Sequence, residues 1–415
     1  MKKALKITGV VLASLFLLCT LFAVINQLGE NEMNAYIDTF SAVEVEDALT
    51  PVLENGEYFF TTDRDFKVMQ LTDVHIGGGF LSRKDDKMAI NAIAAMVQEE
   101  KPDLIIVTGD TAFAVPYISG TINNAIAHRM FMRLMERLGV SWTVAFGNHD
   151  SEAYNYYDRV EVSEMYDDKS LQYCLYLPDG DLSGEGNHVI NVRNSLGLIT
   201  ESFYMIDTHS YTDQDPYGII WDYDYVKEDQ IAWYAERVKA HKASNAAIYE
   251  TLTEGQKEAY ADLLEPKSLM FMHIPLREVK YAYEESIANG KQDTENVKWL
   301  RGFDGETDEI VYSSRTDEQL FETILELGST KGLFYGHDHL NNFVLEYKGV
   351  MLVYGYSIDY LAYSKIDTRG YQRGCTIITC TPSGDAAIVH ENYYQEKYKP
   401  LYGKEIVDME QYKSE

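Results

Sequence analysis

Five short polar clusters in this sequence contain residue types that bind metal ions. Aspartate, asparagine and histidine dominate them, and five of the ten histidines of the chain lie here. Each cluster directly follows a short apolar run, and in chain order they are Asp73-Val74-His75, Gly109-Asp110, Gly147-Asn148-His149-Asp150, His273 and Gly336-His337-Asp338-His339. Together they supply enough carboxylate, amide and imidazole ligands for two divalent cations. Two-metal sites serve few reactions, and the hydrolysis of phosphate esters is the foremost of them.

Each cluster taken alone also has a purely structural explanation. Gly-Asp and Gly-Asn-His-Asp are typical turn sequences, and a lone histidine such as His273 is more often a hydrogen-bonded core residue than a ligand. His337 and His339 are harder to explain in this way, because two histidines two residues apart behind a buried strand have few structural uses. All five structural explanations would have to hold together, each at a strand end, so the sequence favours a metal site.

The apolar runs in front of the clusters have the length and composition of buried strands. They cover residues 66–72, 104–108, 142–146, 269–272 and 333–335, and they are rich in β-branched and aromatic side chains. Helical stripes lie between them, at residues 90–97, at 131–138 with Gly139 as the stop, and at 231–238. Strands that alternate with helices predict an α/β fold, in which ligands bind at the carboxyl ends of the strands.

The order of the clusters and their places at strand ends resemble the calcineurin-like metallophosphoesterase superfamily. The resemblance runs from about residue 66 to about residue 390. Gln230-Ile231-Ala232-Trp233, His273-Ile274-Pro275-Leu276 and Arg373-Gly374-Cys375-Thr376 are similar to one branch of it, the fungal and plant proteins related to purple acid phosphatases. The resemblance implies a four-layer α/β/β/α sandwich that holds two metal ions at its edge.

The resemblance also implies a role for each residue of the clusters. The first metal would be held by Asp73, His75 and His339, the second by Asn148, His273 and His337, and Asp110 would bridge the two. A hydroxide shared by the metals would attack phosphorus, while His149 would stand beside the phosphate and donate a proton to the leaving group. We further predict that Asp150 orients the His149 imidazole, as carboxylates next to functional histidines often do.

The site departs from the purple enzymes at two positions. Those enzymes carry a tyrosine ligand where this chain has Phe113, which has no oxygen to offer, and they lack a histidine at the position of His75. We therefore expect a colourless centre with two divalent ions, Mn, Fe or Zn, since the ligand set alone does not choose among them.

The first 25 residues predict a membrane segment. Lys2, Lys3 and Lys6 precede an almost uninterrupted apolar run over residues 7–25, which is the pattern of a signal peptide or of a single spanning helix. The length of the run and the lack of an Ala-x-Ala cleavage site favour an uncleaved anchor. Because the basic residues stand before it, the positive-inside rule puts the catalytic domain outside the cytoplasm, and a cleaved segment would instead give a secreted protein.

The remainder of the chain divides by composition. Residues 26–64 are polar and acidic, which predicts a stalk with an early strand at 58–60. We expect residues 65–390 to form the phosphoesterase domain and residues 391–415 to form a charged tail. Segments 151–197 and 277–315 leave from metal-bearing strand ends. They could form a substrate-selecting rim through Tyr154, Tyr156, Tyr157 and Arg277, or be ordinary loops. Asp207 and His209 are expected to be structural.

Net charge limits the class of substrate. The chain has 36 Lys plus Arg and 66 Asp plus Glu, a formal charge of −30, which argues against binding to nucleic acids. A small phosphate ester remains suitable, because bound metals create a local positive site. The alternatives are a nucleotidase or a catalytically silent surface-binding protein on the same scaffold.

The four cysteines give no disulfide framework, and Cys375 and Cys380 should face opposite ways on one strand. No oligomeric state is predicted.

Overall fold

The computed structural model describes residues 2–306, 310–363, 366, 373–398, 400–401 and 406–407. Its helices are α1 Lys2–Ile37, α2 Arg83–Glu100, α3 Asn124–Leu138, α4 Arg159–Tyr166, α5 Glu228–Tyr249, α6 Glu254–Ala259, α7 Arg277–Ala288 and α8 Leu320–Leu327. Its strands are β1 Val52–Glu54, β2 Glu57–Thr61, β3 Phe66–Leu71, β4 Leu104–Thr108, β5 Ser141–Ala145, β6 His188–Arg193, β7 Ile199–Met205, β8 Lys267–Phe271, β9 Val297–Arg301, β10 Thr330–Tyr335, β11 Val344–Tyr347, β12 Val350–Tyr354, β13 Gly374–Cys380 and β14 Ala386–Asn392, and β15 Pro400–Leu401 and β16 Ile406–Val407 form a separate pair.

Two sheets stacked face to face form the centre of the molecule. One has five strands in the order β14-β13-β3-β4-β5, and the other has nine in the order β1-β2-β6-β7-β8-β10-β12-β11-β9. Within each sheet a set of neighbouring strands is parallel, β3 with β4 and β5 in the first, and β7 with β8 and β10 in the second. The carboxyl ends of both sets meet at one edge, where all five polar clusters follow them.

The burial of the strands explains their sequences. Every residue of β4 and of β7 is buried, as expected of strands covered on both faces. Side chains such as Phe66 and Ile106 from the first sheet and Phe203 and Phe271 from the second fill the space between the sheets. This inter-sheet core fixes the two sets of strand ends relative to each other, and with them the ligands that they carry.

Helices cover the outer face of each sheet. α1, α2 and α3 pack on the five-stranded sheet, and α5, α7 and α8 pack on the nine-stranded one. The predicted four-layer α/β/β/α sandwich is confirmed. The predicted helix stop is also confirmed, since Gly139 follows α3 with a left-handed φ of 72°.

The predicted stalk over residues 26–64 is wrong. α1 continues beyond the apolar segment to Ile37 and packs on α3, and β2 joins the nine-stranded sheet beside β6. The segment is polar because some of its acidic groups form contacts between helices: Glu30 is buried and pairs with Arg129 at 2.6 Å. The early strand expected at 58–60 is confirmed by β2.

One further boundary differs from the prediction, and the structure also describes the start of the predicted tail. The segment 151–197 is only in part an insertion, because it contains α4 and ends in β6, a strand of the nine-stranded sheet. The first part of the tail is docked, since Tyr393 is buried and Tyr398 donates to a carboxylate oxygen of Glu100 at 2.6 Å. Residues 399, 402–405 and 408–415 of the predicted tail lie outside the described residues.

The cysteines behave as predicted. Cys375 faces the helix-covered core and Cys380 the core between the sheets, so the two lie on opposite faces of β13. All four cysteines are free.

Candidate metal centre

Two groups of possible ligands lie side by side at the shared strand edge and have Asp110 in common. The first consists of Asp73, His75, Asp110 and His339, and the second of Asp110, His273 and His337. The Asp110 Oδ2 atom lies 3.5 Å from His75 Nε2 and 3.1 Å from His273 Nε2. His339 Nε2 lies 3.4 Å from Asp73 Oδ1. The structure thus brings together the residues that the sequence analysis assigned to two metals, with the predicted bridging carboxylate between them.

The hydrogen bonding of these side chains fits the binding of cations. Buried polar atoms normally have partners, yet several atoms that point into the centre have none among the described residues: His75 Nε2, Asp110 Oδ2, Asn148 Oδ1, His273 Nε2 and His337 Nε2. They belong to the predicted ligands, and Asn148 completes the second group. Buried acceptors of this kind are what two metal ions would satisfy.

Two of the ligands are held by the protein on the side away from the centre. His273 Nδ1 lies 2.8 Å from the carbonyl oxygen of Thr108, and the side-chain amide of Asn148 donates to the Tyr211 hydroxyl at 3.1 Å. Such bonds fix the ring and the amide so that the other atom faces the metal.

On its other side His339 faces a carboxylate that sequence reasoning missed. Its Nδ1 lies 3.2 Å from Asp359 Oδ2. Asp359 follows β12 but carries no motif of its own in the sequence, so its role becomes visible only in three dimensions.

Four of the seven predicted ligands have left-handed backbone. The φ angles are 50° at Asp73, 53° at His75, 52° at Asp110 and 74° at His337. Non-glycine residues adopt this conformation at a cost, and such residues concentrate at functional sites, where the surrounding structure holds them in place. The backbone is therefore bent at the ends of β3, β4 and β10, where these four ligands turn inward.

Crowding around the ligands explains the glycines in the motifs. A Cβ atom on Gly336 would lie 1.9 Å from Thr72 Oγ1, and one on Gly147 would lie 2.1 Å from Asp110 Oδ1. Neighbouring strand ends approach so closely at these points that they leave no room for a side chain.

The centre has an excess of negative charge. Burial lowers the pKa of His339, but Asp73 and Asp359 outweigh it and raise this pKa to about 10. Burial likewise lowers the pKa of His273, and Asp110 outweighs it and raises the value to about 9. A field that favours the protonated forms of His273 and His339 also attracts divalent cations, which compete for the same nitrogen atoms.

His149 stands beside the two ligand groups and belongs to neither. Its backbone N–H donates to Asp110 Oδ1 at 2.8 Å, and its Nδ1 lies 2.6 Å from Glu152 Oε1. Burial lowers the pKa of His149, but Asp110 and the hydrogen bond to Glu152 outweigh it, so the pKa lies above its usual value. Phe113 packs its ring edge-on against His149, with the centroids 5.0 Å apart.

The predicted role of Asp150 is wrong. Its carboxylate turns into the interior and accepts the backbone N–H groups of Gly147, Asp110 and Ala112 at 2.7–3.1 Å. Residues 149–151 form a single 3₁₀ turn that points neighbouring side chains in different directions, so Glu152 reaches the imidazole instead. Asp150 therefore connects the loop after β4 with the loop after β5 through hydrogen bonds.

The centre opens into a pocket of about 300 Å³ with aromatic walls. Besides Phe113, His149, His337 and His339, its lining includes Tyr211, Trp221, Tyr223, Tyr312 and Tyr363. Of the described residues proposed as a rim, Tyr154, Tyr156 and Tyr157 do not line it, and Arg277 lines a neighbouring cavity. The segment after β7 supplies the wall instead, and its run of aromatic residues was the available signal.

Asp207 and His209 are structural, as predicted. Asp207 pairs with Arg159 at 2.5 Å, and His209 Nε2 lies 3.0 Å from Gln230 Oε1.

Comparison with known proteins places the chain in a family. "Probable inactive purple acid phosphatase 14" of Arabidopsis thaliana is 26% identical over 337 residues, which cover 74% of each protein. "Phosphatase DCR2" of Saccharomyces cerevisiae is 22% identical over 299 residues, 69% of this chain and 46% of that protein. A solved dimetal phosphatase from Danio rerio covers 80% of this chain and 98% of its own at 9% identity, with a TM-score of 0.46. Residues 66–354, well over half of the chain, match the model of the calcineurin-like phosphoesterases, and the chain belongs to that family.

Proposed function

We propose that this protein is a dinuclear-metal phosphoric ester hydrolase that acts on phosphomonoesters or phosphodiesters outside the cytoplasm. One observation carries the proposal: two groups of buried ligands share Asp110, and their unpartnered atoms face each other beside His149. The shared carboxylate suits two neighbouring cations, because its charge offsets their mutual repulsion. Divalent Mn, Fe or Zn ions fit this mixture of imidazole, carboxylate and amide.

The bound ions would supply Lewis acidity toward the phosphoryl group and would acidify an attacking water. The chain itself handles the proton of the leaving group. Glu152 holds His149 Nδ1, which leaves Nε2 to carry the proton that faces the pocket. The shift of the His149 pKa above its usual value favours the protonated form that a general acid requires.

The aromatic pocket binds the remainder of the substrate. Tyr211, Tyr223 and Trp221 form one wall around His337, and the Tyr223 ring stands edge-on to that imidazole with centroids 4.6 Å apart. Such a wall excludes water and accepts an apolar or aromatic leaving group.

A second candidate is a catalytically silent binding protein, since one similar plant protein is named "probable inactive". The complete ligand set and the placement of His149 favour catalysis. A nucleotidase is a special case within the proposed class.

We also propose that α1 anchors the protein in a membrane. Residues from Leu5 onward form one helix that is long and apolar enough to span a bilayer, and the apolar part is not buried against the protein. Lys3 and Lys6 precede the apolar run, which favours a site outside the cytoplasm.

Metal analysis combined with a panel of chromogenic monoesters and diesters tests the function. We expect two metal ions per chain and turnover that is lost on chelation and restored by metal. The matched control is Asp110→Asn, which should lose the second metal and turnover together. Two bound ions without turnover of any ester would favour the silent binding protein.

A further inference from the structure

The direction of α1 determines which side of the fold faces a membrane. α1 runs alongside α3 and in the same direction. Asn26 donates to the carbonyl of Gly120, just before α3 begins, and the carbonyl of Phe40 accepts from Arg137, near the end of α3. α3 begins on the side where β4 ends, because it leads from β4 back to the start of the parallel strand β5. The part of α1 before Asn26 therefore projects beyond the edge that carries the metal ligands.

With α1 across a bilayer, the loop behind the first ligands would lie at the level of the membrane surface. At about 1.5 Å per residue, the apolar stretch that begins at Leu5 crosses a hydrocarbon core of about 30 Å near residue 25. Phe22 lies within this stretch and stacks on Phe80, with the ring centroids 5.3 Å apart. Phe80 follows the ligand His75 by five residues, so with α1 across a bilayer the loop that begins at this ligand would reach the membrane surface.

The loop of residues 217–221, here called the rim loop, adds an exposed apolar surface at the pocket mouth. Ile219 is 78% and Trp221 54% exposed, and Trp221 also lines the metal pocket. The buried carboxylate of Asp215 accepts the backbone N–H groups of Ile219 and Ile220 at 2.7 and 3.0 Å. The rim loop thus satisfies polar backbone groups internally while its apolar side chains face outward, as entry into a membrane interface requires.

A second exposed apolar group surrounds the point where α1 leaves the domain. Leu81, Tyr117 and Ile122 are 50%, 81% and 45% exposed, and the Leu81 N–H is bonded to the Ser119 carbonyl at 3.0 Å. These residues and the rim loop follow carboxyl ends of the parallel strands, so both groups lie on the metal-bearing side. Tyrosines and large aliphatic side chains are typical of surfaces at the lipid–water interface.

We propose that the metal-bearing edge rests on the bilayer and that the substrate is a phosphate ester of a membrane lipid. The inference rests on the proposed function and on α1 remaining as an anchor. A lipid headgroup could enter the pocket past Trp221 while its acyl chains stay in the bilayer, so that the lipid need not be extracted. The aromatic wall between membrane and metals then contacts the glycerol and the upper part of the chains.

Tryptophan quenching tests the orientation. The full chain, loaded with metal, is reconstituted in phosphatidylcholine vesicles whose acyl chains carry bromine, which quenches nearby indoles. We expect quenching that is largely lost in Trp221→Phe and retained in the matched variant Trp299→Phe, on the edge strand β9. Equal quenching in the two variants would overturn the orientation.

Hydrolysis in vesicles tests the substrate class. Phosphatidic acid serves as the lipid monoester, phosphatidylglycerol as the lipid diester, and chromogenic esters as soluble substrates. Replacing both Ile219 and Ile220 by serine should lower lipid turnover at least about tenfold more than soluble turnover, because it removes two large apolar groups from the interface. The control Val52→Ser with Leu53→Ser, exposed on β1, should lower neither.

The outcomes separate the two proposals. Turnover of soluble esters without turnover of either lipid rejects the lipid substrate and leaves the proposed function standing. No turnover of soluble or lipid esters by protein with two bound metals rejects the proposed function itself, and the lipid substrate with it.

Discussion

At the scale of single residues, the position of His149 outside both ligand groups allows metal binding and turnover to be tested separately. The imidazole contacts the ligand groups without contributing an atom to either, since its backbone N–H bonds to Asp110 and its Nδ1 to Glu152. Its position is therefore fixed by the same loops that carry the candidate metal ligands. Replacing the ring should leave these loops in place, because the bond to Asp110 comes from the backbone.

We expect His149→Asn to lower kcat by about 10²–10⁴-fold, the usual contribution of a general acid. Metal content should remain at two ions per chain, since the imidazole is not a ligand. Steady-state kinetics together with metal analysis measures both quantities. Equal loss of metal and turnover would show that His149 is a ligand or is needed for folding.

Glu152→Gln should move the alkaline limb of the kcat–pH profile to lower pH. The Glu152 carboxylate helps to raise the pKa of His149, so its removal lowers that pKa. A general acid must be protonated, and turnover therefore falls at a lower pH once the pKa is lowered. Both proteins carry the same metals, so the metal charge cancels from the comparison. An unchanged limb, matching the exposed control Glu164→Gln, would exclude this positioning role.

The residue types of the centre were predictable, while their secondary contacts were only partly so. Each ligand follows a continuous apolar strand, and such local signals survive in the sequence. The choice between Asp150 and Glu152 depends on the dihedral angles of one 3₁₀ turn, which decide the direction in which each side chain points. Asp359 carries no motif of its own, and it meets His339 only because the intervening strands β11 and β12 fold back on each other.

At the scale of helices and strands, α1 shows why composition misled the prediction for residues 26–64. Its first part is apolar and unburied, and its last part is polar because it bonds to α3. The buried carboxylate of Glu30 pairs with Arg129. Asp38, directly after the end of α1, pairs with Arg133, and both of these side chains are exposed. A polar segment can therefore be a firmly packed part of a domain when its charges find partners there.

These two ion pairs predict unequal contributions to stability. Glu30→Ala should lower the free energy of unfolding by about 1–2 kcal/mol, because it breaks charge-assisted hydrogen bonds of a buried carboxylate. Asp38→Ala should cost about 0–1 kcal/mol, as is usual for exposed pairs, and it serves as the matched control. Denaturant unfolding of the detergent-solubilised chain measures both. Equal values would indicate that α1 is not docked through Glu30.

At the scale of the whole molecule, negative charge is concentrated where metals are expected. The chain has a formal charge of −30, and Asp73, Asp110, Asp338 and Asp359 are all buried around the centre. Buried carboxylates without cations repel one another, and the histidines between them relieve this only when they are protonated. The folded state is therefore coupled to the binding of cations across both sheets, because each sheet contributes ligands.

Removal of metal should consequently lower the Tm of the protein, and restoring it should raise the Tm again. A ligand that binds only the folded state adds about 2.7 kcal/mol at a concentration one hundred times its Kd. The Tm should rise with metal concentration, and more steeply at pH 8 than at pH 6, because protons compete with metal for His273 and His339. Scanning calorimetry of chelated and reloaded protein measures this. Asp110→Asn is the control, since loss of the shared carboxylate should make the Tm less dependent on metal concentration. If the Tm of the unaltered chain does not change when metal is removed, the two ligand groups do not hold metal in the folded protein.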